Sequence, residues 1–151
     1  MLLVKNILFA LLLAPAVLAG CETAQKTPAA TASRPEGIVN KYWKLVTLEG
    51  QPVTMGPGQE REAFFTLRDS SRVTGFGGCN ALSGSYELNE RQLRLRFTNV
   101  LTTLKACPGP GPERGFLNVL NRADNYTVRA DTLRLNVGRR APLAVFHAVY
   151  F

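Results

Sequence analysis

The sequence predicts an α+β domain, mostly antiparallel β: a small, barrel-like curled sheet of about eight strands with one α-helix at about residues 112–123. Three observations carry this. Short runs of alternating apolar and polar residues recur from Ile38 onward, the pattern of a sheet with one dry face. Turn-forming Asp, Asn, Ser and Gly separate successive runs at hairpin spacing. A helical repeat of apolar residues stands out in one place, just after Pro112.

The elements follow in order. Lys41–Leu48 (KYWKLVTL) sets Tyr, Trp and Val in one short run, a strand signal. Ala63–Arg68 and Ser71–Phe76 flank Asp69-Ser70, a hairpin turn. Gly84–Leu88 passes through Asn89-Glu90 into Arg91–Phe97, where Leu93, Leu95 and Phe97 alternate with polar residues. Pro112 suits a first helical position and Glu113 the positive end of the helix dipole. Phe116, Leu120 and Ala123 then fall on one helical face that can dock on a sheet. Tyr126–Ala130 and Thr132–Val137 form another hairpin around Asp131, with Leu133, Leu135 and Val137 directed inward. Residues 143–151 (LAVFHAVYF) are expected to be an apolar strand ending inside the fold.

The first 37 residues set the compartment. Residues 1–20 hold one lysine, Lys5, then an apolar run from Ile7 to Ala19. That is the layout of a secretory signal and is shorter than the roughly 20 residues a spanning helix needs. Leu18-Ala19-Gly20-Cys21 resembles the bacterial lipobox, in which the cysteine is diacylated and becomes the mature N-terminus. Each buried CH₂ of such chains adds about 0.8 kcal/mol of membrane affinity, so the anchor holds the protein at a membrane. Glu22 follows in place of the aspartate associated with inner-membrane retention, which favours the outer membrane facing the periplasm. Residues 21–37 are rich in Ala, Thr, Ser and Pro and read as a flexible tether with a reach of about 20–25 Å. The remaining domain is residues 38–151.

Composition narrows the partners. The net charge of +7 becomes +6 when Lys5 is removed with the signal. A moderately basic protein outside the cytoplasm is not expected to meet nucleic acid; anionic lipid, lipopolysaccharide or cell-wall polymer suit the compartment better. Arg91, Arg94, Arg96, Arg129, Arg134, Arg139 and Arg140 could form a basic stripe for such polymers, or a solvated surface.

The chemistry motifs exclude more than they include. Gly75-Phe76-Gly77-Gly78-Cys79-Asn80 begins like a G-x-G-x-x-G phosphate loop, but Asn80 occupies the third glycine position and a strand follows where a helix is required. There is no C-x-x-C and one histidine, so no metal site and no cofactor are expected. His147 could serve a nucleophilic cysteine as base, yet it stands in a terminal strand between Phe146 and Ala148 and reads as a core or edge residue. Asp69, Glu87, Glu90 and Asp131 sit at hairpin ends, where acids serve turns. No catalytic residue is predicted.

Cysteine arithmetic gives the one covalent prediction. Of three cysteines, lipidation consumes Cys21 and leaves Cys79 and Cys107, 28 residues apart, in an oxidising compartment. A disulfide closing that loop contributes about 3.5 kcal/mol by the chain-entropy model.

These residues, taken together, resemble a known family. Trp43-x-Leu45 with Gly50, Val73-Thr74-Gly75, Gly78-Cys79-Asn80, Gly84-x-Tyr86, Thr103-x-x-Ala106-Cys107, Glu113, Phe116, Leu120, Tyr126 and Leu133-x-Leu135 are similar to the META domain of HslJ-type proteins over roughly residues 40–150. Lys105 stands where the family commonly has methionine. The resemblance implies a barrel-like antiparallel domain, an envelope location often as a lipoprotein, and an association with heat shock or novobiocin tolerance. It implies no catalytic residue. Two functions are therefore expected: a non-enzymatic, monomeric, lipid-anchored envelope protein for stress tolerance or partner stabilisation, or a small-barrel module binding a lipid or other apolar ligand. For the second, Phe64, Phe65, Phe97, Phe116, Val145 and Phe146 supply apolar surface, which also suits a plain core.

Overall fold

The computed structural model describes residues 37–107 and 109–151. The signal segment, Cys21 and the tether up to residue 36 lie outside the described residues. The elements run β1 (Tyr42–Leu48), β2 (Gln51–Pro52), β3 (Phe64–Arg68), β4 (Arg72–Phe76), β5 (Ala81–Asn89), β6 (Arg94–Thr102), α1 (Glu113–Arg122), β7 (Asn125–Arg129), β8 (Thr132–Asn136) and β9 (Ala144–Val149). The two-residue β2 folds back on the end of β1; the other eight are the strands the sequence predicts.

Those eight strands form one antiparallel sheet in the order β6-β5-β4-β3-β1-β9-β8-β7. Register shifts between Leu45 and Thr47 and between Ser83 and Ser85 mark bulges. Each adds local twist, which lets a single sheet curl into a half-barrel. The turn leading into edge strand β6 meets the other edge strand, β7, where the Tyr126 N–H donates to the Leu93 carbonyl at 3.0 Å. Helix α1, which connects those same edges, packs against β6 and covers it.

Side chains fill the interior. Phe65 is fully buried and sits edge-on to Phe97 at 5.6 Å and Phe146 at 4.9 Å. The helix adds Phe116, Val119 and Leu120, with the Phe116 ring 5.8 Å from Phe146. Trp43 and Tyr86 are buried with their polar ends satisfied by the carbonyls of Ile38 and Arg68, as buried aromatics with a polar handle require. Among the described residues, aromatic and aliphatic side chains from the sheet and the helix pack into one core. Of the expected apolar ligand surface, Phe64 faces outward instead, stacked on Tyr42 at 4.1 Å.

Several local expectations are corrected. The β5 strand starts at Ala81, not Gly84, and β6 begins at Arg94 and runs to Thr102. Leu93 belongs to the preceding turn with φ of 52°, so its main chain is spent on the turn and on Tyr126. Strand β8 ends at Asn136, which is buried because its amide donates to Asn125 Oδ1; Val137 packs partly on the core from beyond the strand. The chain's last residues leave the core: Phe151 is 99% exposed and touches Tyr42 edge-on from outside.

The basic stripe is interrupted. Arg94 reaches Asp124 at 3.9 Å, and Arg96 lies across from Glu87 in the β5–β6 ladder. Asp124 accepts from the Gly138 N–H at 3.0 Å and from Asn125 Nδ2 at 2.7 Å. These bonds, the Gly138 one first, hold its carboxyl below the usual range. A depressed carboxyl stabilises the fold above its unfolded value, and that contribution is lost as pH falls through the folded value. Asp124→Asn should therefore be less stable than the parent at pH 7 by under about 1 kcal/mol, with the gap closing below pH 4. Urea unfolding at both pH values checks it; a gap that widens at low pH refutes the assignment.

Candidate functional site

Three connections converge at one end of the half-barrel: the β2–β3 loop, the β4–β5 turn and the β6–α1 segment. The opening they leave is a cleft of about 960 Å³ lined by Gly56–Glu60, Phe76, Gly78, Cys79, Lys105–Cys107, Gly109–Gly111, Glu113 and Arg114. Sites for small ligands span about 300–1,000 Å³. This cleft lies outside the packed interior.

Its wall is built on Asn80. Asn80 is 4% exposed. Its Oδ1 accepts from the Lys105 N–H at 2.7 Å and from Thr103 Oγ1 at 2.8 Å. Its main-chain N–H and its Nδ2 donate to the two carboxylate oxygens of Glu113, at 2.6 and 2.9 Å. The same Nδ2 faces the sulfurs of Cys107 and Cys79 at 3.5 and 3.6 Å. One residue thus ties the β4–β5 turn to the segment after β6 and to the first turn of α1. Donors to a carboxylate are the stronger kind, and a network with every member satisfied strengthens each bond. Glu113 therefore does more than complement the helix dipole; its carboxylate is committed to Asn80.

The glycines around Cys79 follow from this arrangement. A Cβ on Gly77 would come within 2.8 Å of both Cγ and Oε2 of Glu113, so the carboxylate can approach only a bare backbone. Gly78 has φ of 110°, which L side chains rarely adopt. The left-handed position of this turn is therefore Gly78, while Asn80 supplies its hydrogen bonds. The helix itself begins at Glu113, and Pro112 precedes it with its carbonyl accepting from the Phe116 N–H.

Cys79 and Cys107 form a disulfide with Cα atoms 5.8 Å apart, joining the turn to the segment after β6. Cys107 is exposed and Cys79 half-buried. Their sulfurs and a Glu113 carboxylate oxygen lie within 4.8 Å of one another, but bonded sulfurs offer no thiolate to a metal. His147 is exposed on the outer face of β9, opposite Lys44 and Thr132. The acids predicted to serve turns are scattered likewise: Asp69 accepts from Asn40 Nδ2 at 2.7 Å, and Asp131 from the Tyr150 hydroxyl.

Two features were not foreseen. The β2–β3 loop forms one lip of the cleft, and Lys105 Nζ bridges to Glu60 Oε1 on that lip at 2.8 Å. The Lys105 hydrogen bond holds the Glu60 carboxyl below its usual range. The Asn80 network uses only the main chain of Lys105, which explains why a lysine is accommodated where the family commonly has methionine. A loop of Gly, Pro and Gln carries no periodic signal, so its position was not readable.

The fold and site define a class: a small antiparallel half-barrel, filled by its helix and closed at one end by a crosslinked polar corner. The chain matches the META domain model over residues 36–150 and belongs to that family. The META family is not known as an enzyme family, and membership points to a non-catalytic, envelope-associated domain. No curated protein matches the chain. Among solved structures it is similar to a protein from Burkholderia xenovorans determined by NMR, with 24% identity, TM-score 0.58, and 82% and 97% of the two chains covered. A DUF4847 family protein from Bacteroides vulgatus ATCC 8482 shares 14% identity at TM-score 0.53, covering 74% and 92%. At these identities the likeness establishes the fold.

Proposed function

We propose that this protein is a lipid-anchored envelope protein, tethered through Cys21 to the periplasmic face of the outer membrane, that holds a partner at the cleft beside Cys79 and Cys107. It contributes in this way to tolerance of envelope stress such as heat or novobiocin. The observation that carries the reading is the contrast between a filled interior and an open, mixed-polarity cleft at the rim. The lipobox-like Leu18-Ala19-Gly20-Cys21 and the tether supply the membrane attachment. An apolar ligand would also have to use the cleft, where Phe76, Pro57 and Pro110 provide limited apolar surface.

The test combines both parts in the full chain. Cys21→Ala should move the protein from the membrane to the soluble fraction, because the acyl chains supply the membrane affinity. A photo-crosslinking residue at Arg114 should capture one partner in cells, and the same residue at Thr127 on the outer face of β7 should not. Membrane retention of Cys21→Ala would refute the anchor; equal capture at both positions would refute the cleft.

A further inference from the structure

We infer that the Cys79–Cys107 disulfide is a site of thiol–disulfide exchange, at which a peptidyl thiol entering the cleft attacks the sulfur of Cys107. The inference rests on the reading of the cleft as a binding site and adds the chemistry of its wall. Both cysteines line the cleft, so a ligand held there lies against the bond.

The two sulfurs are not equivalent. Exchange begins with a thiolate attacking a reachable sulfur, and access decides which one. Cys107 is exposed in a segment outside any helix or strand; Cys79 is half-buried in the turn between β4 and β5. Attack at Cys107 makes Cys79 the leaving group. Asn80 Nδ2 lies 3.6 Å from the Cys79 sulfur and 3.5 Å from that of Cys107, so it can donate to the thiolate at Cys79, and access alone distinguishes the two sulfurs.

The step balances without an external oxidant. The incoming sulfur bonds to Sγ of Cys107, the Cys79–Cys107 bond breaks, and its electron pair leaves with the Cys79 sulfur. The products are a mixed disulfide on Cys107 and a thiolate on Cys79, which takes a proton from solvent or attacks back. A Glu113 carboxylate oxygen lies within 4.8 Å of both sulfurs and opposes accumulation of that thiolate. Reclosure is thereby favoured, and the mixed disulfide is short-lived. The Asn80–Glu113 bonds do not run through either sulfur, so the exchange does not require the core to unfold.

The charge around the bond selects the thiol. Lys105 is held by Glu60, whereas Arg114 is exposed at the cleft wall. A thiol on a short peptide bearing free carboxylates matches that cation better than a neutral thiol does.

The experiment treats the oxidised full chain in detergent with glutathione at neutral pH and traps released thiols with N-ethylmaleimide. Peptide mass mapping should find glutathione on Cys107 and maleimide on Cys79, in about tenfold excess over the reverse pattern. Arg114→Glu should slow the glutathione reaction about three- to tenfold more than it slows the 2-mercaptoethanol reaction, because glutathione adds free carboxylates to the thiolate charge that both reagents carry. Faster reaction with a cysteine-bearing hexapeptide than with glutathione would assign the thiol to a protein partner, and the opposite order to a free tripeptide; both support exchange. Equal labelling of the two cysteines would overturn the inference. So would a glutathione rate that equals the global unfolding rate, or an Arg114→Glu effect that is the same for glutathione and 2-mercaptoethanol. Partner capture at Arg114 is read separately, so either reading can fail alone.

Discussion

Phe65→Ala is expected to lower the unfolding free energy by about 4 kcal/mol, the cost of emptying a fully packed aromatic position. Phe65 is where sheet and helix meet: its ring contacts Phe97 on β6 and Phe146 on β9, and lies 6.5 Å from Phe116 on α1. Truncation removes the transfer free energy of the ring and leaves a cavity that three rigid neighbours cannot collapse into. Urea denaturation of the parent and the variant measures the loss from the midpoint at constant slope. A loss under about 1.5 kcal/mol would mean that the interior has room to relax. That outcome would reopen the interior as a ligand chamber.

Asn80→Ala should cost about 3 kcal/mol, a large value for a polar residue near the surface. The substitution removes the acceptor for the Lys105 N–H and Thr103 Oγ1, and a donor to Glu113. Each buried group left unpaired carries a desolvation penalty of about 1–3 kcal/mol. Asn80→Asp should be at least as damaging although its shape is conserved, because it sets a second carboxylate against that of Glu113. A double-mutant cycle with Glu113→Gln separates the pair from the rest of the network. Additivity of the two single losses would show that the Asn80–Glu113 contact contributes nothing of its own. Because the disulfide remains in all these variants, any loss is distinct from that of opening the crosslink.

The architecture was legible because its signals are local. Alternation in Arg94–Phe97 and Thr132–Leu135 marks strands whichever partners they find, and Phe116, Leu120 and Ala123 mark the buried helical face in the same way. Strand limits were less legible where backbone conformation decided them. Leu93 continues the alternation of Leu95 and Phe97, yet a left-handed turn takes it out of the strand. Nothing in a leucine announces that. Tyr150 and Phe151 extend an apolar run but lie on the outer surface, because the core is already full where β9 ends.

The candidate site divides along the same line. With Cys21 expected to carry the lipid, the sequence by itself pointed to Cys79 and Cys107 as the pair, and it excluded a phosphate loop at the glycine-rich turn. Both conclusions rest on counts and on residues a few positions apart. Only the tertiary structure decided what Gly-Gly-Cys-Asn is for. Asn80 and Glu113 are 33 residues apart, and their contact exists only because the sheet curls and the helix returns across its open side. The cleft is likewise a space between three loops that are distant in sequence. Hydrophobic periodicity fixes which face of each element is dry, while long-range contacts fix where those elements leave a gap.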